Sequence, residues 1–489
     1  MRRWNRSPSL AAGCAAAALL AAACSSAGDE ARHEVVPARD VACGIDVLVE
    51  EDFERLAGKR VGLVTNHTGR LRDGSRTIDA LAGTERLELV ALFSPEHGAE
   101  GVLDEEGLAD GRDAATGLPV FSLYGDTKEP TPEMLAGLDA LLFDVQDVGT
   151  RFYTYVSTMG LAMEAAGRAG VAFVVLDRPN PLGGDVVEGP VLDEGRRSFV
   201  GFHEIPVRHG MTVGELARLF RAERELDVEL EVVQVRGWRR ADAFDATGLA
   251  WTPTSPNMRR LSAAFLYPGV GLLEFTNVSV GRGTDTPFER VGAPWIDGRR
   301  LADALAAARV EGLACVPVTF VPTSSVFAGE TCGGVDLFVT ERGAFRSVRA
   351  GLALAQALRD GFGEAWDRSR FDRLLGDDAL LAAFERGASL DALVEPRGCG
   401  GATSNAVARP TCSTSDRAGN RARARAAIIP RPRGAAVPTT EPAARARPND
   451  PNRSTCSSAR KPSPASPSSS RSPRSRAVPR SERRRAVTS

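Results

Sequence analysis

The sequence has few cysteines outside its two ends. Two of the eight lie in the first 24 residues and three lie after Arg397, which leaves Cys43, Cys315 and Cys332 for the part between. At most one disulfide can form there, and no Cys-x-x-Cys pair indicates a zinc or redox centre. The five histidines include no His-x-His or His-Glu-x-x-His spacing. No metal is therefore predicted.

Three motifs of common enzyme classes are also missing. In the segment GRGTDT, Thr286 stands where the dinucleotide fingerprint Gly-x-Gly-x-x-Gly requires its third glycine. The sequence has neither a Gly-Lys-Ser/Thr phosphate loop nor a Gly-x-Ser-x-Gly nucleophile elbow. These absences argue against enzymes that use nicotinamide or ATP and against serine hydrolases of the α/β class. No cofactor is predicted.

The charge is unevenly distributed along the chain. The net charge is −2, but residues 397–489 carry 20 Lys and Arg against 4 Asp and Glu, so the first 396 residues carry −18. This basic tail contains no aromatic residue and few aliphatic ones, so we interpret it as disordered. Basic tails often bind nucleic acid, but no nucleic-acid partner is predicted here.

We interpret the tail as the product of a frameshift near Arg397. An allowed codon choice for Ala408–Ser415, read one nucleotide back, encodes Ala-Pro-Tyr-Leu-Leu-Tyr-Val. The alternative is a genuine basic extension that binds anionic polymers. Resequencing the locus distinguishes the two, because an intact reading frame through Ser489 would contradict the frameshift.

Residues 1–24 resemble an export signal. Three arginines among the first six residues precede the apolar stretch Leu10–Ala23, which is too short and too rich in alanine for a transmembrane span. Cys24 follows small residues as in bacterial lipoproteins, although Ala21 stands where leucine is usual. We predict lipid attachment at Cys24, a linker over residues 25–43, and an exported protein anchored to the cell envelope. A plain cleaved secretory signal is the alternative.

Four apolar segments, each read as a strand, end in polar residues, and segments of helical character lie between them. This alternation predicts a parallel, Rossmann-like α/β domain over residues 44–290. The turn-rich sequence GAPWIDG then opens a smaller α/β domain over residues 291–396. The four segments are Arg60–His67, Leu87–Gly98, Ala140–Tyr153 and Ala172–Pro181.

The polar ends of these segments predict a site, because ligands of parallel sheets bind beyond the carboxyl ends of the strands. Glu96 ends the second segment, and Asp144 and Asp147 lie in the third. Two carboxyls facing one crevice are typical of glycoside hydrolysis. A turn or helix-cap carboxylate is the structural alternative for Glu96. A metallohydrolase site built on His67 and His97 is a second possibility.

Aromatic and cationic residues also point to a sugar ligand. The segment RFYTY combines Arg151 with Tyr153 and Tyr155, in a chain that has only four tyrosines. Aromatic rings suit sugar rings, and arginine binds carboxylates in a bidentate manner. Arg282 lies in a second, glycine-rich loop. Ordinary packing is the alternative for both segments.

Ten motifs occur in an order that resembles one bacterial family, the NamZ-type exo-β-N-acetylmuramidases. The similarity covers about Gly44 to Glu395, with two departures. Phe275 stands where the family usually has glycine, and the usual Tyr-Leu-Leu-Tyr chain end is missing. The motifs are GIDVL, GLVTNHTG, LFSPEHG, GLPVFSLYG, DVQDVGTRFYTY, LDRPNP, VRHGMTVGELA, TSPNM, FTNVSVGRGTDTPFE and GAPW.

The resemblance implies an enzyme that releases N-acetylmuramic acid (MurNAc) from the non-reducing end of peptidoglycan fragments. It implies a cleft between a Rossmann-like domain and a smaller one. The family's proposed catalytic glutamate in SPEHG corresponds to Glu96. The motif residues that would line the pocket are Asn66, His97, Asp144, Asp147, Arg151, Tyr153, Asp177, Arg178, Asn257 and Arg282.

The leading hypothesis is a lipid-anchored glycosidase that acts on MurNAc–GlcNAc saccharides. Glu96 would protonate the leaving oxygen, and Asp144 or Asp147 would activate water or stabilise the transition-state charge. Arg151 or Arg282 would bind the lactyl carboxylate of MurNAc. Two alternatives stay open. One is a metal-dependent amidase or esterase that uses His67, His97 and Asp177, and the other is a non-catalytic lipoprotein that binds muropeptides.

Overall fold

The computed structural model describes residues 40–101 and 109–395, so the predictions for Cys24 and the basic tail lie outside the described residues. The strands are β1 (Arg60–Thr65), β2 (Glu88–Ser94), β3 (Gly111–Arg112), β4 (Pro119–Ser122), β5 (Ala140–Asp144), β6 (Ala172–Leu176), β7 (Glu188–Val191), β8 (Pro206–Arg208), β9 (Leu230–Val233), β10 (Arg290–Ala293), β11 (Leu313–Phe320) and β12 (Cys332–Val339). The α-helices are α1 (Gly44–Glu50), α2 (Thr77–Ala82), α3 (Pro132–Leu135), α4 (Tyr155–Ala169), α5 (Val213–Glu223), α6 (Leu261–Val270), α7 (Gly298–Ala308), α8 (Ser347–Phe362), α9 (Asp372–Leu375), α10 (Asp378–Glu385) and α11 (Leu390–Val394).

A seven-stranded sheet in the order β3-β4-β2-β1-β5-β6-β9 forms the larger part of the fold. All neighbouring strands in it are parallel except the short edge pair β3–β4. Without that edge strand, the order is that of a Rossmann sheet, in which the first strand is central and the chain then builds outward on both sides. The predicted parallel α/β class is therefore confirmed.

The central strands form because their side chains are apolar on both faces. Every residue of β5 is buried, and so is all of β1 except its first residue, Arg60. Near-continuous apolar strands of this kind require helices on both faces of the sheet. Helix α5 begins at a capping box in which Thr212 and Glu215 satisfy each other's backbone amides.

The second sheet is antiparallel, in the order β10-β12-β11, and helices α6 and α7 pack against it. Helices α6 and α8 approach closely at Gly269 and Gly351, where an added Cβ atom would lie 2.0–2.3 Å from the backbone of the facing helix. One hydrophobic core runs from Val64 to Leu393, so both predicted domains contribute to it. The boundary at residue 290 stays a prediction. No helix within the two described ranges is long and apolar enough to cross a membrane.

Candidate active site

The loops after β1 and β5 meet at the point where the strand order reverses, which is the usual ligand site of such sheets. The side-chain amide of Asn66 donates to the Tyr155 hydroxyl at 2.9 Å, and its carbonyl oxygen accepts from the Thr68 hydroxyl at 2.6 Å. The Thr68 hydroxyl oxygen in turn accepts from the Gln146 backbone amide at 3.0 Å. Asn66 thus links the two loops to the first turn of α4.

Glu96 lies two residues beyond β2, half-buried, and accepts a short hydrogen bond from the Thr154 hydroxyl. The next residue, His97, is buried and has a positive φ of 73°. Such a backbone conformation is uncommon for a residue other than glycine, and it often occurs at functional sites. The turn SPEHG therefore holds Glu96 at the sheet edge in a defined position.

Three of the four tyrosines form an aromatic wall beside Glu96. The Tyr153 ring lies 4.9 Å from that of Tyr155 and 5.8 Å from that of Tyr267, measured between centroids. The hydroxyls of Tyr153 and Tyr155 are held by Thr254, at 2.7 and 2.6 Å. Burial raises the pKa of all three tyrosines, and the negative charge of Glu96 raises it further in each. Glu96 is therefore close enough to interact electrostatically with the whole wall.

Tyr267 also contacts an ion pair that comes from the C-terminal half of the chain. Glu274 Oε1 accepts from Arg282 Nε at 2.9 Å and from Arg282 Nη2 at 2.7 Å, and its Oε2 accepts from the Tyr267 hydroxyl at 3.4 Å. Phe275 is the residue that departs from the family pattern. Its ring centroid lies 4.5 Å from the Arg373 guanidinium, which is a cation–π contact. The sequence predicted Arg282 but missed Tyr267 and Glu274.

Asp144 does not belong to the open part of this site, contrary to its predicted catalytic role. Its side chain is 0% exposed, and its two oxygens accept from Arg178 Nε at 2.6 Å and Arg178 Nη2 at 2.9 Å. The Thr77 hydroxyl donates to the same carboxylate at 2.5 Å. Because Arg178 is fully engaged by Asp144 and the Arg70 carbonyl, it also lacks the predicted substrate-binding geometry.

Asp177 is a helix cap rather than a pocket residue. Its carboxylate accepts from the Gly214 amide at 2.8 Å and the Thr212 hydroxyl at 3.0 Å at the start of α5. Burial raises its pKa to about 6. Two of the three residues of the alternative metal site are thus engaged elsewhere. Asp177 caps α5, and His67 Nε2 contacts the Pro253 carbonyl at 2.5 Å. Among the residues that the structure describes, no three His, Cys, Asp or Glu side chains are grouped to hold a metal ion.

Arg151 was predicted as a possible carboxylate clamp, but its guanidinium binds backbone carbonyls instead. Nη1 donates to Pro190 and Ile205 at 2.8 and 3.0 Å, and Nη2 donates to Leu374 and Leu375 at 2.7 and 2.9 Å. The side chain is buried, which lowers its pKa to about 10. Arg151 therefore ties the loop after β5 to the C-terminal end of α9 and does not face a substrate.

Asp147 is buried and lies close to Tyr153 and His209. Its Oδ2 accepts from the Gly149 amide at 2.6 Å, and His209 Nε2 lies 3.5 Å away. His209 Nδ1 accepts from the Met211 amide at 3.1 Å, so Nε2 is the ring nitrogen that faces Asp147, without a hydrogen bond to it. Gly149 has a φ of 81°, where a side chain would also clash with Asn180.

Asn257, the remaining predicted pocket residue, is buried in the turn of residues 255–258 that follows Thr254. The structure thus brings Glu96, Tyr153, Asn66, His97 and Asp147 together from the loops that follow β1, β2 and β5. Arg282 joins them through Tyr267, whose pKa is raised by Glu96 and lowered by Arg282.

Two family models match this chain over adjacent ranges. The one described as exo-beta-N-acetylmuramidase NamZ, N-terminal, covers residues 61–262, and the C-terminal one covers residues 265–396. The chain belongs to the NamZ family. It is similar to the peptidoglycan beta-N-acetylmuramidase NamZ of Bacillus subtilis (strain 168), with 43% identity over 375 residues, which is 76% of this chain and 90% of the relative.

Two crystal structures of DUF1343 family proteins from Bacteroides fragilis NCTC 9343 share the fold. The first is 38% identical with a TM-score of 0.67 and covers 71% of this chain and 92% of that protein. The second is 30% identical with a TM-score of 0.59 and covers 72% and 93%. The family resemblance predicted from the ten motifs is thereby confirmed. Glu96 lies in the N-terminal NamZ match and Glu274 in the C-terminal one, so the site combines both.

We expect the substitution Asp144→Asn to lower the stability of the fold. The change leaves the buried Arg178 without its anionic partner, which costs about 3–5 kcal/mol of the free energy of unfolding. Urea denaturation measures this loss. The control Glu88→Gln removes a carboxylate whose partner Arg60 is exposed, and it should cost less than about 1 kcal/mol. An Asp144→Asn protein that is inactive yet as stable as the wild type would restore Asp144 as a catalytic candidate.

Proposed function

We propose that this protein is an exo-acting glycoside hydrolase that releases N-acetylmuramic acid from the non-reducing end of peptidoglycan fragments. The observation that carries the proposal is the position of Glu96, which contacts Thr154 and lies beside the aromatic wall at the carboxyl edge of a parallel sheet. Membership of the NamZ family and the name of the Bacillus subtilis relative support the same activity.

In this proposal Glu96 is the general acid. A half-buried carboxyl that already receives a hydroxyl hydrogen bond is held in one orientation, as proton transfer to a leaving oxygen requires. The buried rings of Tyr153 and Tyr267 pack beside Glu96 and exclude water from that side of the site. Both effects favour the oxocarbenium-like transition state of glycoside hydrolysis.

The lactyl carboxylate that distinguishes MurNAc from GlcNAc needs a cation. Arg151 is engaged by four carbonyls, whereas Arg282 is partly exposed and stands beside the aromatic wall. Glu274 orients the guanidinium through Nε and Nη2. Arg282 is therefore the residue to which we assign recognition of the lactyl group.

Replacing Glu96 by Gln should lower kcat on MurNAc–GlcNAc by about 10²–10⁴-fold, because protonation of a poor leaving group is lost. The loss should be much smaller on 4-nitrophenyl MurNAc, whose leaving group needs little protonation. Thermal unfolding should be nearly unchanged. Glu100→Gln, a change at an exposed position in the same loop, is the matched control and should keep full activity. Equal losses on both substrates would contradict the acid role.

Replacing Arg282 by Met should erase the preference for MurNAc glycosides over GlcNAc glycosides. An ion pair with a ligand carboxylate in a partly buried site contributes about 1.5–3 kcal/mol, which is about 10- to 100-fold in kcat/KM. Arg260→Met removes an exposed cation nearby and serves as the control. Unchanged discrimination in Arg282→Met would reject the assignment.

We also propose that the protein is exported and anchored to the cell envelope by a lipid on Cys24. The arginines, the short apolar stretch and the small residues before Cys24 support this location. Metabolic labelling with a clickable fatty acid tests it: the wild type should be labelled and should partition into detergent, and Cys24→Ser should do neither. Release of an unlabelled wild-type protein into the medium would instead indicate a plain secretory signal.

A further inference from the structure

The position of Asp144 leaves the proposed reaction without one of its two carboxylates. Most glycoside hydrolases use a second carboxylate beside the general acid. Asp144 is closed off by Arg178 and Thr77. The remaining candidates for this role are the other described carboxylates that adjoin the aromatic wall.

Among the residues that the structure describes, two carboxylates besides Glu96 adjoin this wall. The charge of Asp147 raises the pKa of Tyr153, and the charge of Glu274 raises that of Tyr267. Asp147 is the less accessible of the two: its side chain is 7% exposed, and its Oδ1 is buried without a hydrogen-bond partner among the described residues. The Glu274 side chain is 15% exposed. Of the two, Glu274 is the one a substrate can reach more readily.

The contacts of Glu274 suit a carboxylate that acts on a substrate. Arg282 holds Oε1 with two hydrogen bonds, which fixes the plane of the carboxylate and balances its charge. Its other oxygen, Oε2, has one long contact of 3.4 Å to the Tyr267 hydroxyl. Oε2 is therefore the weakly held oxygen and the one suited to take part in the reaction.

Glu96 and Glu274 are hydrogen-bonded to different residues at the aromatic wall. Glu96 contacts Thr154, which follows Tyr153, and Glu274 contacts Tyr267, whose ring centroid is 5.8 Å from that of Tyr153. A single displacement by water uses two carboxyl groups that approach the sugar from different sides, about 6.5–9.5 Å apart. Here the two carboxylates are held by different residues, as such a displacement requires.

We propose that Glu274 is the second catalytic carboxylate, an inference that rests on the proposed muramidase activity. Oε2 of Glu274 takes a proton from a water molecule while the water oxygen bonds to the anomeric carbon. The bond between that carbon and the leaving oxygen breaks, its electron pair goes to the leaving oxygen, and Glu96 supplies the proton. Solvent then removes the proton from Glu274 and returns one to Glu96.

The test is chemical rescue of Glu274→Ala. The variant should lose about 10²–10⁴-fold in kcat on 4-nitrophenyl MurNAc, because no base activates water. Sodium azide fits the space left by the side chain and needs no base, so it should raise the rate by about ten-fold or more. The product should be the α-glycosyl azide of MurNAc, identified by NMR, because azide attacks the face opposite the leaving group.

Glu289→Ala is the matched control. Glu289 is also a partly buried carboxylate paired with an arginine, Arg260, and it lies in the same segment outside the aromatic wall. Azide should not accelerate this variant or form an azide product with it. A Glu274→Ala protein that keeps activity, or that loses it without azide rescue, overturns the catalytic role even if the variant is folded.

The wild-type reaction separates this inference from the proposed function. Release of MurNAc from MurNAc–GlcNAc by the wild type supports the muramidase activity whatever the result with Glu274→Ala. In the first turnover, NMR should show the α-anomer of MurNAc, as single displacement at a β-linkage requires. An initial β-anomer would overturn the water step. Failure of the wild type to release MurNAc would overturn both proposals.

Discussion

The buried pair of Asp144 and Arg178 is the contact on which the site edge depends. Asp144 ends β5, Arg178 follows β6, and the pair also binds the Thr77 hydroxyl of α2 and the Arg70 carbonyl of the loop after β1. Burying two charges is costly unless every polar group finds a partner, and here both carboxylate oxygens have one. The contact therefore fixes three consecutive strand ends relative to one another.

Most of the polar residues at the strand ends serve this kind of internal bonding. Asp177 caps α5, Arg151 binds four carbonyls, and Asn66 links two loops. In a buried loop, backbone amides and carbonyls have no partners from a helix or a sheet. These side chains supply the missing hydrogen bonds. Glu96 and the Glu274–Arg282 pair remain partly accessible, beside the buried aromatic wall. The buried hydrogen bonds of the other polar residues hold these side chains in fixed positions.

The sequence was a good guide to the sheet and a weaker guide to the roles of single residues. Apolar runs such as Leu141–Phe143 are buried on both faces, so their strands and the parallel class of the sheet could be predicted. Asp144 and Arg151 were assigned to chemistry because sequence shows a residue type at a strand end but not its partner. Glu274 was missed for a different reason. It follows the 3₁₀ turn Gly271–Leu273 instead of a strand, and only the fold brings it to Tyr267.

The C-terminal half takes part in the site in two separate ways. It supplies Glu274 and Arg282 directly, and its helix α9 supplies the carbonyls of Leu374 and Leu375 that hold Arg151. Arg151 lies two residues before Tyr153, so the position of the aromatic wall depends on where α9 is packed. The core that joins both halves is continuous, and the close approach of α6 and α8 at Gly269 and Gly351 leaves little room for α8 to shift. A disturbance of the packing near α9 would therefore reach the active site through Arg151, without any change in the residues that contact the substrate.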